Sequence, residues 1–345
     1  MAGGSGERFW PMSRSRTPKH LLRLLDERTL LEATVARLAG AVPVENTFIL
    51  TNHAQLEATR EAIPGLPAGN IIAEPEKRDT APACALATAI SHAASPGAVC
   101  MVLPADAMIH NVARFQEQIR DAIDAAGAGD AIVTIGIPPA FPATGFGYLE
   151  TGETLSPGPN GSEIRRLSRF VEKPDLARAT EYVRGGKHYW NAGIFLWKAS
   201  TFLAEVRRQQ PVLADFIAGY SAGVPIVDYL KDRFAKLPKI SVDYAVMEQA
   251  REVVAVLATF DWDDVGAWTA LPSHLGIDPQ GNSTRGPVVQ HESSGNIAVS
   301  NGRMIALCGV KDLVVVETPD AILVCHRDAV QNVKSLQPHL PDALK

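Results

Sequence analysis

Between residue 29 and about residue 231, short apolar runs alternate with segments of helical period. This alternation builds crossover units into a mostly parallel sheet flanked by helices, an α/β architecture. Buried strands are predicted over 47–50, 70–73, 98–103 and 131–135. Helices are predicted over 30–38, 54–63, 82–94 and 112–126. Each strand ends in a polar or Gly/Pro cluster, and ligands of such sheets bind beyond the carboxyl ends of their strands. The Gly/Pro/Ser-rich stretch 156–162 reads as a hairpin tip. After Trp268 the texture changes to turn-rich sequence and then short β-rich runs at 304–307, 313–317 and 321–325, compatible with one or two coils of a β-helix. A boundary is expected near Asn282, dividing the chain into 1–281 and 282–345.

Composition narrows the classes without naming a chemistry. The chain has 345 residues, 46% hydrophobic and 21% charged, with a net charge of -5. This is ordinary for a globular protein of about two domains. No basic run could track a nucleic-acid backbone, so any anionic ligand needs a local site. Cys84, Cys100, Cys308 and Cys325 lie far apart and read as buried free thiols. The opening Met1-Ala2-Gly3-Gly4 lacks a secretion signal, and no apolar run approaches the ~20 residues of a membrane span. A cytoplasmic location is expected.

Chemistry concentrates at a few places. Gly3-Gly4-Ser5-Gly6-Glu7-Arg8 is a glycine-rich loop whose amides could wrap a phosphate, with Arg8 to neutralise charge. It matches neither the Walker pattern nor the dinucleotide fingerprint. Leu103-Pro104-Ala105-Asp106 ends a buried strand in a carboxylate suited to a hard cation, and a second carboxylate lies far along in Trp262-Asp263-Asp264-Val265-Gly266. No histidine has zinc-ligand spacing and no serine sits in a nucleophile elbow.

The loop continues into Phe9-Trp10-Pro11-Met12-Ser13-Arg14 and then Pro18-Lys19-His20-Leu21-Leu22. Here the sequence resembles the sugar-1-phosphate nucleotidylyltransferases, in which Arg8 and Lys19 match two triphosphate-binding cations. Further segments follow in the family's order. Glu74-Pro75-Glu76-Lys77-Arg78-Asp79-Thr80 resembles the segment lining the base and triphosphate pocket, with Asp79 where Asn is usual; Asp79 or Thr80 would also cap a helix there. Asp106 and Asp264 match the family's metal ligands, which implies a supporting place for Asp261 and Asp263, and Ala107 stands where a histidine is common. Thr144-Gly145-Phe146-Gly147, Phe170-Val171-Glu172-Lys173-Pro174 and Trp190-Asn191-Ala192-Gly193 resemble the sugar-phosphate segments, implying roles for Gly145, Glu172, Lys173 and Asn191. Asp243 falls in another similar segment, where it also reads as the cap of a helix.

The resemblance implies a Rossmann-like catalytic domain with a small β-helix-like domain behind it, and transfer of GMP from GTP to α-D-mannose 1-phosphate with Mg²⁺. The nucleotide would be held by Gly3, Gly4, Ser5, Gly6, Arg8, Lys19, Glu74, Arg78 and Thr80. Catalysis would rest on Arg8, Lys19, Asp106 and Asp264. The implied partners are the two small substrates, with no nucleic acid and no membrane, and a homodimer is compatible. Another sugar or base specificity, or a catalytically silent homologue, stands as the alternative. A fused isomerase half would need more than the 63 residues after Asn282, so no phosphomannose isomerase activity is expected. Members of this family also carry apolar residues ahead of the glycine loop. On that basis a strand is expected upstream of Met1, and without it a sheet position beside the loop should stand open.

Overall fold

The computed structural model describes residues 1–345. Helices and strands alternate through the first half of the chain, as α1 (Leu30–Ala36), β1 (Ile49–Asn52), α2 (Leu56–Ala62), β2 (Ile71–Glu74), α3 (Thr80–Ala94), β3 (Val99–Val102), α4 (Val112–Ala128) and β4 (Ile132–Ile137). A hairpin follows, β5 (Tyr148–Thr154) and β6 (Ile164–Val171), its tip at the Gly/Pro/Ser-rich stretch. Next come α5 (Leu176–Gly185), the long β7 (His188–Lys198), α6 (Ala199–Gln209), α7 (Pro211–Ala218), α8 (Ile226–Arg233), α9 (Val242–Ala245), β8 (Val253–Leu257) and α10 (Leu271–Leu275). The starts are chemically set. Thr29 closes a capping box with Glu32 at the head of α1, and Asp79 accepts from the Thr80 amide at 2.8 Å at the head of α3.

β3 to β8 form one sheet in the order β3-β7-β4-β8-β6-β5. The mixed α/β architecture is the expected one, but its pairing is less parallel than the alternation suggests. β4–β8 is the one parallel pair of this sheet, and β1–β2 is a separate parallel pair. The reason is β7, which returns after the hairpin excursion and inserts between β3 and β4, antiparallel to both. All of β4 and β8 is buried, which accounts for their unbroken apolar runs. No helix is long and apolar enough to cross a membrane.

Between β1 and β3 the backbone is bridged only by Met1 and Ala2. Met1 N donates to Leu103 O at 2.8 Å, Ala105 N to Met1 O at 3.1 Å, and Ala2 N to Leu50 O at 2.7 Å. Beside this bridge lies an apolar cavity of about 310 Å³ whose walls include Leu31, Leu38, Leu50, Val99 and Met101. The glycine loop therefore starts from a point pinned on both sides.

From Ser283 onward the chain coils. β9 (Ser283–Arg285), β11 (Ile297–Ser300) and β13 (Leu313–Glu317) stack in parallel, as do β10 (Val288–His291) and β12 (Ile305–Cys308), and β14 (Ile322–His326) closes the edge antiparallel to β13. Asn282 and Asn296 form an internal rung: Asn296 Nδ2 donates to Asn282 Oδ1 at 3.1 Å, and Asn296 Oδ1 accepts from Leu313 N at 3.0 Å. Buried amides paired along the stack keep the coils in register. The cysteines are all free, and Cys84 and Cys100 are buried. Contrary to expectation, Cys308 is exposed and Cys325 half-buried, because alternate residues of β12 and β14 face outward. One continuous apolar cluster joins Phe9, Trp10, Leu22 and Trp268 to Ile297, Val299, Val314, Val330 and Val333. The coil is thus packed directly behind the glycine loop.

Candidate active site

The strand ends and loops named by the sequence converge on one cleft of about 590 Å³. Ser5, Gly6, Arg8, Lys19, Thr80, Asp106, Gly145, Glu172, Lys173, Asn191 and Asp264 all line it. Gly3, Gly4, Glu74 and Arg78 do not. Gly3 lies against the Glu74 carboxylate, within 3.9 Å of a Cβ built on it, and Arg78 is turned toward Glu76 at 2.6 Å. Burial pushes the Glu74 carboxyl up to about 7.

At one end the glycine loop and the two strand-end carboxylates meet around Lys19. Gly6 has φ +63, and a Cβ there would stand 2.4 Å from Lys19 Cβ and 2.6 Å from Lys19 N. Only glycine lets the two backbones approach this closely. Lys19 is buried at 7% exposure, and its ammonium donates to Asp106 Oδ2 at 2.9 Å and to the Asp264 carbonyl. Arg8 reaches Gly266 O at 3.4 Å and has no carboxylate partner.

The chain around Asp264 is held in an uncommon conformation. Val265, fully buried, has φ +44, a region that β-branched residues rarely enter. Asp263 holds the turn by accepting from the Val265 amide at 2.7 Å, and it is itself bonded to His274 at 3.0 Å. Asp261 accepts from the amides of His110 and Asn111, each at 2.7 Å, which anchors the connection from Asp106 to α4. Both neighbours therefore support the loop. A Cβ on Gly266 would meet Asp264 Oδ2 at 2.8 Å, so that glycine also clears room for the carboxylate. Burial raises the Asp264 carboxyl above its ordinary value, Lys19 pulls it back, and the carboxylates of Asp263 and Asp106 raise it further.

At the other end, Glu172, Asn191 and Asp243 form a polar floor. Asn191 Oδ1 accepts from Gly193 N at 3.1 Å, and its Nδ2 donates to Asp243 Oδ1 at 3.2 Å, leaving one N–H for a ligand. The Glu172 side chain is only 6% exposed and carries the Lys173 ammonium. A Cβ on Gly147 would stand 2.6 Å from Glu172 Oε2. Burial opposes the charge on Lys173, but the hydrogen bond and charge of Glu172 outweigh it and raise the ammonium's pKa. Lys173 also has φ +44, an outlier of the kind that clusters at ligand sites. Phe146 and Trp262, whose rings meet edge to face at a centroid distance of 5.6 Å, wall this end.

Asp243 does not cap α9 as expected, because Ser241 does so by accepting from the Tyr244 amide. Its carboxyl is instead pushed from 3.8 up to about 7, by burial first and by the charge of Glu172 second. A carboxyl whose folded-state pKa is raised binds its proton more tightly when folded. Its contribution to stability is therefore full below about 4 and is lost as pH rises toward 7. Asp243→Asn should remove this loss, so the gap in Tm between variant and wild type should grow in the variant's favour from pH 5 to pH 8. Parallel Tm curves across that range would contradict the assignment.

Gly147, Phe146, Trp262 and Lys334 also line the cleft, and the sequence assigns none of them to the site. The first three sit inside motifs already singled out. Lys334 had no local signal.

The donor set suits a hard divalent cation. No cluster of three or more His, Cys, Asp or Glu side chains is present, but Asp106 and Asp264 face one cleft, and Asp264 has no side-chain hydrogen bond to satisfy it. Mg²⁺ is commonly bound by one or two carboxylates, with substrate phosphates and water completing its shell.

Comparisons with known proteins agree with this geometry. The family model described as nucleotidyl transferase matches residues 1–275, and one described as a MannoseP isomerase/GMP-like beta-helix domain matches 286–340. The chain is 39% identical over 349 residues to the xanthan biosynthesis protein XanB of Xanthomonas campestris pv. campestris (strain B100), covering 99% of this chain and 73% of that protein. It is 38% identical over 344 residues to the mannose-1-phosphate guanylyltransferase of Escherichia coli (strain K12), covering 97% and 71%. A crystal structure described as mannose-1-phosphate geranyltransferase from Thermus thermophilus superposes with a TM-score of 0.88 at 36% identity, over 98% of this chain and 97% of that one. With four-fifths of its length matched by the family model and identities near 40% over almost all of it, this chain belongs to the nucleotidyl transferase family.

Proposed function

We propose that the protein transfers GMP from GTP to α-D-mannose 1-phosphate, forming GDP-mannose and pyrophosphate. The observation that carries this reading is the polarity of one cleft. A glycine loop with Arg8 and Lys19 lies at one end, a carbohydrate-like floor of Glu172, Asn191 and Asp243 with Lys173 at the other, and Asp106 and Asp264 with them. The names of the relatives point the same way.

The chemistry asks little of the protein in proton transfer. The sugar phosphate is already an anion at neutral pH, so its oxygen attacks the α-phosphorus directly. The new O–P bond forms as the bond to the β-phosphate oxygen breaks, and pyrophosphate leaves with the electron pair. What the chain supplies is alignment and charge neutralisation. The Gly6 turn presents its backbone and Arg8 its guanidinium to the triphosphate. Lys19, fixed by Asp106, holds positive charge under the reacting phosphates. Lys173 holds the acceptor phosphate, while Glu172 and the free N–H of Asn191 hold sugar hydroxyls. A Mg²⁺ ion held by Asp106 and Asp264 would neutralise the charge that builds on phosphate oxygens. The division 1–281 and 282–345 assigns the residues named here to the first part and the packing behind the loop to the second.

The reading is tested by product identification. Incubation with GTP, mannose 1-phosphate and Mg²⁺ should give GDP-mannose and pyrophosphate in equal amounts, and GDP in place of GTP should give neither. Lys173→Ala should raise KM for mannose 1-phosphate about tenfold or more, the scale of a charge-assisted hydrogen bond, and raise that for GTP far less. An equal rise for both would place Lys173 elsewhere.

A further inference from the structure

Lys334 reaches the cleft from the far end of the chain. It lies in the segment Arg327–His339, a run of tight 3-10 turns that packs on the turn Glu7–Phe9 at the end of the glycine loop. Val330 and Val333, 2% and 3% exposed, pin this segment into the apolar cluster that also holds Phe9, Trp10 and Trp268. The anchorage continues on both sides. Trp10 Nε1 donates to Leu344 O at 3.0 Å, and Arg14 pairs with Asp320 at 3.0 Å. Lys334 is the one residue after Gly266 that lines the cleft, which Ser5, Gly6, Glu7 and Arg8 also line.

Its electrostatic situation differs from that of the other lysines there. Lys19 is tied to Asp106 and Lys173 to Glu172. Lys334 has no carboxylate within ion-pairing distance and donates no hydrogen bond. With Arg8 it makes a pair of cleft-lining cations that have no carboxylate partner, and its segment packs on the Glu7–Phe9 turn. An ammonium offers three donors and a compact charge, which suits phosphate oxygens that carry most of a ligand's charge.

We propose that Lys334 binds the terminal phosphates of the nucleoside triphosphate and the pyrophosphate they become, so that the C-terminal segment completes the phosphate site. The assignment of substrates rests on the function proposed above, while the phosphate site itself does not. The test is calorimetric titration of the full chain with inorganic pyrophosphate and Mg²⁺, together with KM values for GTP and mannose 1-phosphate. For Lys334→Ala we expect pyrophosphate affinity to fall about tenfold and KM for GTP to rise similarly. KM for mannose 1-phosphate should stay within about twofold, Tm should be unchanged, and Lys334→Arg should recover most of the loss. Unchanged pyrophosphate affinity in Lys334→Ala would overturn the proposal. So would an equal loss for both substrates with a lowered Tm and no rescue by Arg, which would mark a purely structural residue. If instead the wild type made no GDP-mannose while Lys334→Ala still weakened pyrophosphate binding, the functional reading would fail and the phosphate site would stand.

Discussion

Asp264→Asn is expected to lower kcat by about three orders of magnitude while leaving Tm within a few degrees of wild type. Stabilising charge in the transition state through a metal is worth several kcal/mol, and about 4 kcal/mol corresponds to roughly a thousandfold in rate. Stability should hardly move because burial already disfavours the Asp264 charge, and its carboxylate makes no side-chain hydrogen bond that Asn would break. Asp106→Asn should lose activity similarly. Its Lys19 partner is buried, but the Asn Oδ1 still offers the ammonium an acceptor, so the contact is weakened rather than lost. Steady-state kinetics beside thermal unfolding separates the two effects. Near-normal turnover in both variants would remove the metal assignment, and a large drop in Tm would assign the carboxylates to the fold instead.

Gly6→Ala is expected to reduce kcat/KM for GTP by about a hundredfold. A left-handed conformation costs an L-residue roughly 1–2 kcal/mol, and the added methyl would also meet Lys19 N at 2.6 Å, a backbone atom that cannot swing away. Relief requires moving the loop off Lys19, the residue that holds both the Asp106 carboxylate and the Asp264 carbonyl. Gly40→Ala supplies the comparison. Gly40 has φ +81 with open space around its would-be Cβ and lies outside the cleft. That variant should lose stability through backbone strain and keep its kcat/KM. Equal kinetics in the two variants would show that the contact with Lys19 does not govern the site.

Local pattern carried most of the elements, because each strand of the first half is a short apolar run closed by polar residues. The expected strand 131–135 is Ile132–Ile137, and the expected helix 112–126 is Val112–Ala128. Edges drifted where side chains capped differently from the apolar period. Asn52 accepts from the Gln55 amide and opens a single 3-10 turn, so α2 starts at Leu56 rather than near Ala54. The order of the sheet was not legible. No local signal distinguishes a strand returning antiparallel, as β7 does between β3 and β4, from one crossing over in parallel.

The site followed the same division. Gly6, Asp106, Asp264, Glu172 and Asn191 sit in compact motifs whose composition is itself chemical, and the fold brings them to one cleft. Glu74 and Arg78 sit in an equally compact motif, yet the first turns inward against Gly3 and the second toward Glu76. Asp243 looked like a cap until the approach of Glu172 and Asn191 set its environment. Lys334 owes its place to the packing of Val330 and Val333 behind Phe9, a contact between the two ends of the chain that no window of sequence contains.

The cleft joins a nucleoside triphosphate to a sugar 1-phosphate, and its preference among such pairs decides the reading. Pyrophosphate release with Mg²⁺, measured for GTP, ATP, UTP and CTP against mannose 1-phosphate and glucose 1-phosphate in parallel, tests it most directly. GTP with mannose 1-phosphate should give the highest kcat/KM, with GDP-mannose as the matching product. A preference for another nucleotide or for glucose 1-phosphate, or no release with any pair, would contradict it.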